Sequence, residues 1–444
     1  MTDGAAVALR GSLPALPNLD RIIRGLLYVF IFSLPFKGLL FLERNGFIIL
    51  LVLLGIWCAV NRQHFFIRTP VDLPLAAFVL WVGLTIPFAA YPVYSLKEFG
   101  KLLQQALIFY TVLFFFRDHT RWVHLTWLLV GVAFAVGVYS LVEFDDTFRG
   151  GGSFLRAEVW LTTYLVMMIP VCFALAWYAE RPWAKALFAL GTLLLTACLL
   201  LARSRAGFLA FLVELWAFAW LVGKRSALVL AAGVTLALAA ALSVLLTTVI
   251  RPDGTVSVIP QTSLQVKTDT KSIVHRFDIW AFVLDRIAEH PVVGIGYGKE
   301  TSKMLFGQEP EENILPGHAP VRTHGAHNIL LELALLVGLP GMIAFVWLAV
   351  RLGRTVVAAF RRSEEALARS FLLGMSLSMI GLGVRLQFDQ MLVGTVALQF
   401  WVMAGIAILA SKSSESVPHA ARDGGLSSLS DPLPEAGRVV QGIR

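Results

Sequence analysis

Charged residues are scarce in this chain. Asp, Glu, Lys and Arg together make up 15% of its 444 residues, while 57% are hydrophobic and the mean hydropathy is +0.74. A soluble domain of this length needs more polar surface than that, so a water-soluble globule is excluded and a chain folded in lipid is indicated. Cysteine is sparse as well. Cys58, Cys172 and Cys198 all lie in apolar runs without paired spacing, so neither a disulfide frame nor a thiolate metal site is suggested. Residues 1–20 lack a charged-then-apolar signal with a small-residue cleavage site, and the first hydrophobic segment is therefore expected to stay as an anchor. The net charge of +8 gathers in short loops between apolar runs, which fits topology signals and acidic lipid or phosphate. No nucleic-acid partner is expected.

What is present in abundance is long apolar sequence. A helical crossing takes about 20 mainly apolar residues, because backbone polar groups in lipid must bond within the segment. The pattern predicts an all-α polytopic membrane protein of about twelve transmembrane helices, centred near Phe32, Leu53, Trp81, Phe109, Leu129, Met168, Leu193, Leu212, Leu236, Leu336, Met375 and Trp401. Basic residues alternate between loops: Arg21/Arg24, Arg62/Arg68, Arg117/Arg121, Arg181/Lys185, Lys224/Arg225 and Arg351/Arg354/Arg361/Arg362 mark the cytoplasmic side, so both termini are expected there. Residues 1–20 then form a cytoplasmic segment and 21–411 the transmembrane domain. Within it, 251–326 is a large extracytoplasmic loop between the ninth and tenth spans, and 412–444, rich in Ser, Pro and Gly, is expected to be a disordered cytoplasmic tail.

Two stretches carry more detail. The apolar run Ala186–Leu221 is too long for one ordinary span and is interrupted at Arg203-Ser204-Arg205-Ala206-Gly207, which predicts two helices turning at the outer face. In the large loop, Ile273, Phe277, Trp280, Val283, Leu284 and Ile287 recur at helical spacing between Ser272 and Glu289. This predicts an amphipathic helix on the outer membrane surface, ending at His290-Pro291 and a glycine-rich turn, Gly294-Ile295-Gly296-Tyr297-Gly298. That turn lacks the GxGxxG spacing and the preceding strand of a nucleotide loop.

The expected topology brings Arg205, Arg276 and His327 to one membrane boundary. His327 belongs to Thr323-His324-Gly325-Ala326-His327-Asn328, where a polar loop enters the apolar segment Ile329–Val350. An isolated arginine at a helix end often only snorkels to the headgroups, and a boundary histidine is often only a satisfied interfacial group. A zinc ion shared by His318, His324 and His327, or a harder cation at Asp145-Asp146, is permitted by spacing. No HExxH pattern accompanies it, so no metal and no cofactor is expected. Paired carboxylates for glycoside hydrolysis are also unsupported, since Asp145 and Asp146 are adjacent and Glu309, Glu311 and Glu312 cluster around Pro310.

Two arginines and a histidine have a clear joint chemistry. Guanidinium groups match phosphate oxygens and hold a pyrophosphate without a metal, and a histidine with a pKa near roughly 6.5 takes a proton from an attacking hydroxyl. The implied reaction is group transfer from a lipid-linked pyrophosphate to an alcohol.

The run HNILLELALLVGLPG from His327, the SRAG turn at Ser204–Gly207 and the RFDIW…HPVVGIGYG run from Arg276 to Gly298 together resemble the O-antigen ligase superfamily. The resemblance implies a C-type glycosyltransferase fold and a metal-independent inverting transfer from undecaprenyl pyrophosphate at the periplasmic face of a Gram-negative inner membrane. It also implies His327 as base and Arg205 and Arg276 as donor pyrophosphate ligands. Asp389, late in the chain, would orient the histidine, with His324 and Asn328 supporting and Arg149 and Arg156 as further donor contacts. The leading expectation is a ligase joining undecaprenyl-pyrophosphate-linked O-polysaccharide to lipid A-core. An O-antigen or exopolysaccharide polymerase is the alternative, with a protein O-oligosaccharyltransferase lowered by the absence of a long C-terminal extracytoplasmic domain. A twelve-helix transporter is disfavoured because no half-to-half repeat is evident and the candidate residues gather at one boundary.

Overall fold

The computed structural model describes residues 17–142, 158–202, 204–247, 270–307, 325–388 and 393–413. Their regular structure is helical throughout: α1 (Pro17–Ser33), α2 (Leu40–Asn61), α3 (Asp72–Thr85), α4 (Pro92–Phe115), α5 (His119–Val142), α6 (Glu158–Tyr178), α7 (Pro182–Leu201), α8 (Arg205–Val222), α9 (Arg225–Thr247), α10 (Thr270–Glu289), α11 (Thr301–Phe306), α12 (Ile329–Arg362), α13 (Ala366–Arg385) and α14 (Gly394–Ser413). Among the described residues, eight helices are long and apolar enough to cross a membrane: α2, α5, α6, α7, α8, α12, α13 and α14. The described residues are thus all-helical, and the chain is a polytopic membrane protein. Every span centre expected from sequence falls on a helix, although Phe32 sits one residue from the end of α1 and Leu336 lies just before a break in α12.

Lipid supplies no hydrophobic drive between helices, so close packing and small residues must hold the centre together. The α13 stripe Ser370, Gly374, Ser378 and Gly381 does this. Gly374 lies against the backbone of Val171 on α6, and the Ser378 hydroxyl donates across the interface to the Met167 carbonyl at 2.6 Å. Gly381 leaves room for the Glu214 side chain of α8, which fixes the register of α8 on α13. Large side chains on the outside, such as Ile48 and Val52 of α2, Leu193 of α7 and Ile343 of α12, are exposed because they face lipid.

The two ends of the bundle differ in chemistry. At one end, the Arg351 Nε donates to the Pro70 carbonyl, the Lys412 Nζ to the Arg68 carbonyl, His119 pairs with Glu365, and Arg361 lies over Trp220. That end gathers the arginine-rich loops. The other end holds the starts of α6, α8, α12 and α14, together with α10 and α11.

The two helices predicted within Ala186–Leu221 are α7 and α8. Ser204 caps α8, its hydroxyl accepting from the Gly207 N–H at 3.3 Å. Arg203 lies outside the described residues.

Candidate functional site

The break in α12 organises the site. At Gly338 the backbone takes φ +73 and ψ 174, a left-handed-side conformation that only glycine adopts without strain, and Pro340 follows without an N–H to donate. The carbonyls of Leu335, Leu336 and Val337 thereby lose their helical partners. A membrane-embedded carbonyl left alone is costly, so each must be served from elsewhere. The glycine-rich turn serves two: the Ile295 N–H donates to Leu335 and the Gly296 N–H to Leu336, both at 2.9 Å, while Leu339 N–H returns a bond to Pro291 at 2.8 Å. The Trp81 indole of α3 serves the third, Val337, at 2.8 Å. GIGYG is therefore a backbone clasp on a broken membrane helix. Gly294, at φ +67, has no room for a β-carbon against the Leu336 backbone.

Above the break, the piece Ile329–Val337 presents its N-terminus at a junction of several elements. Asn328 is the N-cap: its Oδ1 accepts from the Leu330 and Leu331 N–H groups at 3.0 and 3.2 Å, and its Nδ2 donates to Gln387 Oε1 at 3.0 Å. The Ile329 N–H donates to the Leu386 carbonyl at 2.9 Å, tying this start to the end of α13. His327 is held just before the cap with φ +47. Among the described residues only Arg62 shares a positive φ without being glycine. Such strain clusters at functional positions.

The residues before His327 are fixed from two sides. The Trp280 indole of α10 donates to the Ala326 carbonyl at 2.9 Å, and the Ala326 N–H donates to Glu332 Oε2 at 2.6 Å. Glu332 is 2% exposed. Lys299, just after the glycine-rich turn, lies over the Trp160 ring of α6, 5.5 Å from its centroid. Burial pushes the Tyr297 phenol up, with Glu98 adding in the same direction.

Arg276 reaches the same junction. Its guanidinium stands 5.8 Å from the ring centroid of Phe388, the residue after Gln387, and Arg276 lies one helical turn before Trp280. Arg205 opens α8 and is exposed. Since α8 runs antiparallel to α13 with Glu214 opposite Gly381, Arg205 stands about 14 Å further along at 1.5 Å per residue, towards the end where α13 finishes. Arg276 and Asn328, the residue after His327, thus reach the adjacent residues Phe388 and Gln387, and Arg205 lies towards the same end of the bundle. Asp389, His324, Arg149 and Arg156 lie outside the described residues.

The amphipathic helix is present as α10, and its buried face overlaps the expected stripe only in part. Ile279, Val283 and Ile287 are buried while Phe277 and Leu284 are exposed. Spacing alone did not reveal this, because α10 carries two apolar stripes and only packing against α12 chooses between them. An apolar cavity of about 330 Å³ opens between α4, α12, α13 and α14, with Ile329, Leu386 and Gln387 at its wall beside the histidine junction.

A family model described as O-antigen ligase matches residues 190–346, from within α7 to within α12, and so takes in Arg205, Arg276 and His327. The match spans about a third of the chain. The glycine-rich turn, the break at Gly338 and Glu332 all lie within the matched stretch. No curated protein matches the chain. A chain from a solved structure described as "Structural coordination of polymerization and crosslinking by a peptidoglycan synthase complex" aligns at 18% identity. The alignment covers 78% of this chain and 98% of that one at a TM-score of 0.44, too distant a likeness to bear on the site.

Proposed function

We propose that this protein is an O-antigen ligase with a C-type glycosyltransferase fold of about twelve spans, transferring O-polysaccharide from undecaprenyl pyrophosphate to a hydroxyl of lipid A-core. The reading is supported by one observation: α10, which carries Arg276, holds the residue before His327 through Trp280, within the matched stretch and at the bundle end opposite the arginine-rich loops. By the positive-inside rule that end faces the periplasm of the inner membrane. The acceptor oxygen attacks the anomeric carbon and its proton passes to a ring nitrogen of His327. The bond from that carbon to the pyrophosphate oxygen breaks, and undecaprenyl pyrophosphate leaves with the electron pair while Arg205 and Arg276 hold its charge. The sugar centre inverts, and the chain's own residues supply base and anion clamp without a metal. The apolar cavity beside Ile329 offers room for part of the lipid chain.

The acceptor is tested by deletion in the source cell. Loss of the gene is expected to leave lipopolysaccharide with a bare core while lipid-linked polymer accumulates. A core carrying one repeat unit contradicts the ligase reading and assigns the protein as a polymerase.

A further inference from the structure

Glu332 is the one charged residue in the apolar segment Ile329–Val350, and nothing in the transfer chemistry above uses it. An acid there is costly unless it has a task. Its side chain leans towards the helix N-terminus, as helical side chains do, and its Oε2 accepts the Ala326 N–H. Gly325 eases the approach: a β-carbon there would lie 3.1 Å from Glu332 Oε2, closer than an ordinary contact. The Ala326 carbonyl is taken by Trp280, so both polar groups of the residue preceding His327 are pinned. On the other side, Asn328 and Ile329 are pinned to Gln387 and Leu386. His327, with its left-handed backbone, is the hinge between the two pinned segments.

We propose that Glu332 is a positioning residue for the transfer reaction, holding the Gly325–Ala326 segment so that His327 keeps the left-handed turn that aims its imidazole at the acceptor hydroxyl. This rests on the reading of His327 as base. The group needed is an acceptor oxygen at the end of a side chain of glutamate length; its formal charge is secondary. Glutamine supplies that oxygen, aspartate falls one methylene short, and alanine supplies nothing.

The test is steady-state transfer by purified full-length protein in lipid, with undecaprenyl-pyrophosphate-linked polymer as donor and lipid A-core as acceptor. His327→Ala, Glu332→Gln, Glu332→Asp and Glu332→Ala are assayed beside the parent, each checked for monodispersity and thermal midpoint. Glu332→Ala is expected to lose at least tenfold in kcat with donor KM within twofold, and Glu332→Gln to retain kcat within about threefold. Glu332→Asp should behave like the alanine variant. A folded Glu332→Gln as impaired as Glu332→Ala, a rise confined to donor KM, or parental kcat in Glu332→Ala would overturn the proposal. If Glu332→Ala does not fold, the Gln and Asp variants decide: equal kcat in those two overturns it. Turnover by His327→Ala removes the base reading itself, whereas loss in His327→Ala with full kcat in Glu332→Ala removes only the positioning role.

Discussion

His327 holds a backbone conformation that costs a residue with a β-carbon about 1–2 kcal/mol, and its neighbours offset that cost. Asn328 does so most directly, since one side chain caps two helix N–H groups and reaches Gln387 on α13. Asn328→Ala is expected to destabilise the protein by about 1–2 kcal/mol and lower its thermal midpoint by roughly 2–4 °C, while Asn328→Asp, which keeps the capping oxygen, recovers most of the loss. Thermal unfolding in detergent reads both, and an unchanged midpoint in Asn328→Ala would remove the cap from the account. The polar entry His324–Asn328 was legible in sequence because polar residues at the start of an apolar run stand out. Glu332 was not, since one acid within the segment carries no spacing signal and gains meaning only when the Ala326 N–H is seen against it.

The broken helix α12 and its clasp behave as one element. Ile295, Gly296 and Trp81 donate to the three carbonyls that Gly338 and Pro340 release, so the clasp stands only with the break and the break only with the clasp. Gly338→Ala introduces a β-carbon at φ +73 against the Val292 carbonyl, for a backbone cost of about 1–3 kcal/mol before any steric term. It is expected to release the turn, raising protease sensitivity between His290 and Lys299 ahead of global unfolding. Unaltered cleavage there would show that the clasp does not depend on the break. The turn at His290-Pro291 and Gly294–Gly298 and the places of α7, α8 and α10 were legible, because periodicity and a minimal Ser-Arg-Ala-Gly turn are local signals, whereas the break at Gly338 and Pro340 within an expected span was not. The clasp joins residues near 295 to residues near 336, and such pairing has no local signature. On α10, Val283 and Ile287 were legible but Ile279 was not, for the same reason: Ile279 and Phe277 are equally apolar, and only packing against α12 distinguishes them.

Taken whole, the protein separates an arginine-rich end from a histidine end, and the proposed chemistry requires the second to face the periplasm. Cysteines introduced at Val292 and Met304, both exposed at the histidine end, are expected to react with a membrane-impermeant maleimide added outside spheroplasts. One at Arg354 should react only after lysis. Cys172 and Cys198 are buried, so only the partly accessible Cys58 needs replacement first. The reverse labelling pattern would invert the protein and place the site in the cytoplasm. The all-helical membrane class was readable from composition, since the membrane imposes span length, while the sidedness expected from loop charge is what the labelling tests. The convergence of α10, α12 and the end of α13 on one residue was readable only in part, through the run that joins Arg276 to the GIGYG turn.

The most direct measurement is transfer by the purified protein reconstituted with undecaprenyl-pyrophosphate-linked O-polysaccharide and lipid A-core. The parent is expected to form the glycosylated core lipid and release undecaprenyl pyrophosphate in equal amount. His327→Ala should bind the donor with parental affinity and form no product. Near-parental turnover by His327→Ala would contradict the account at its centre.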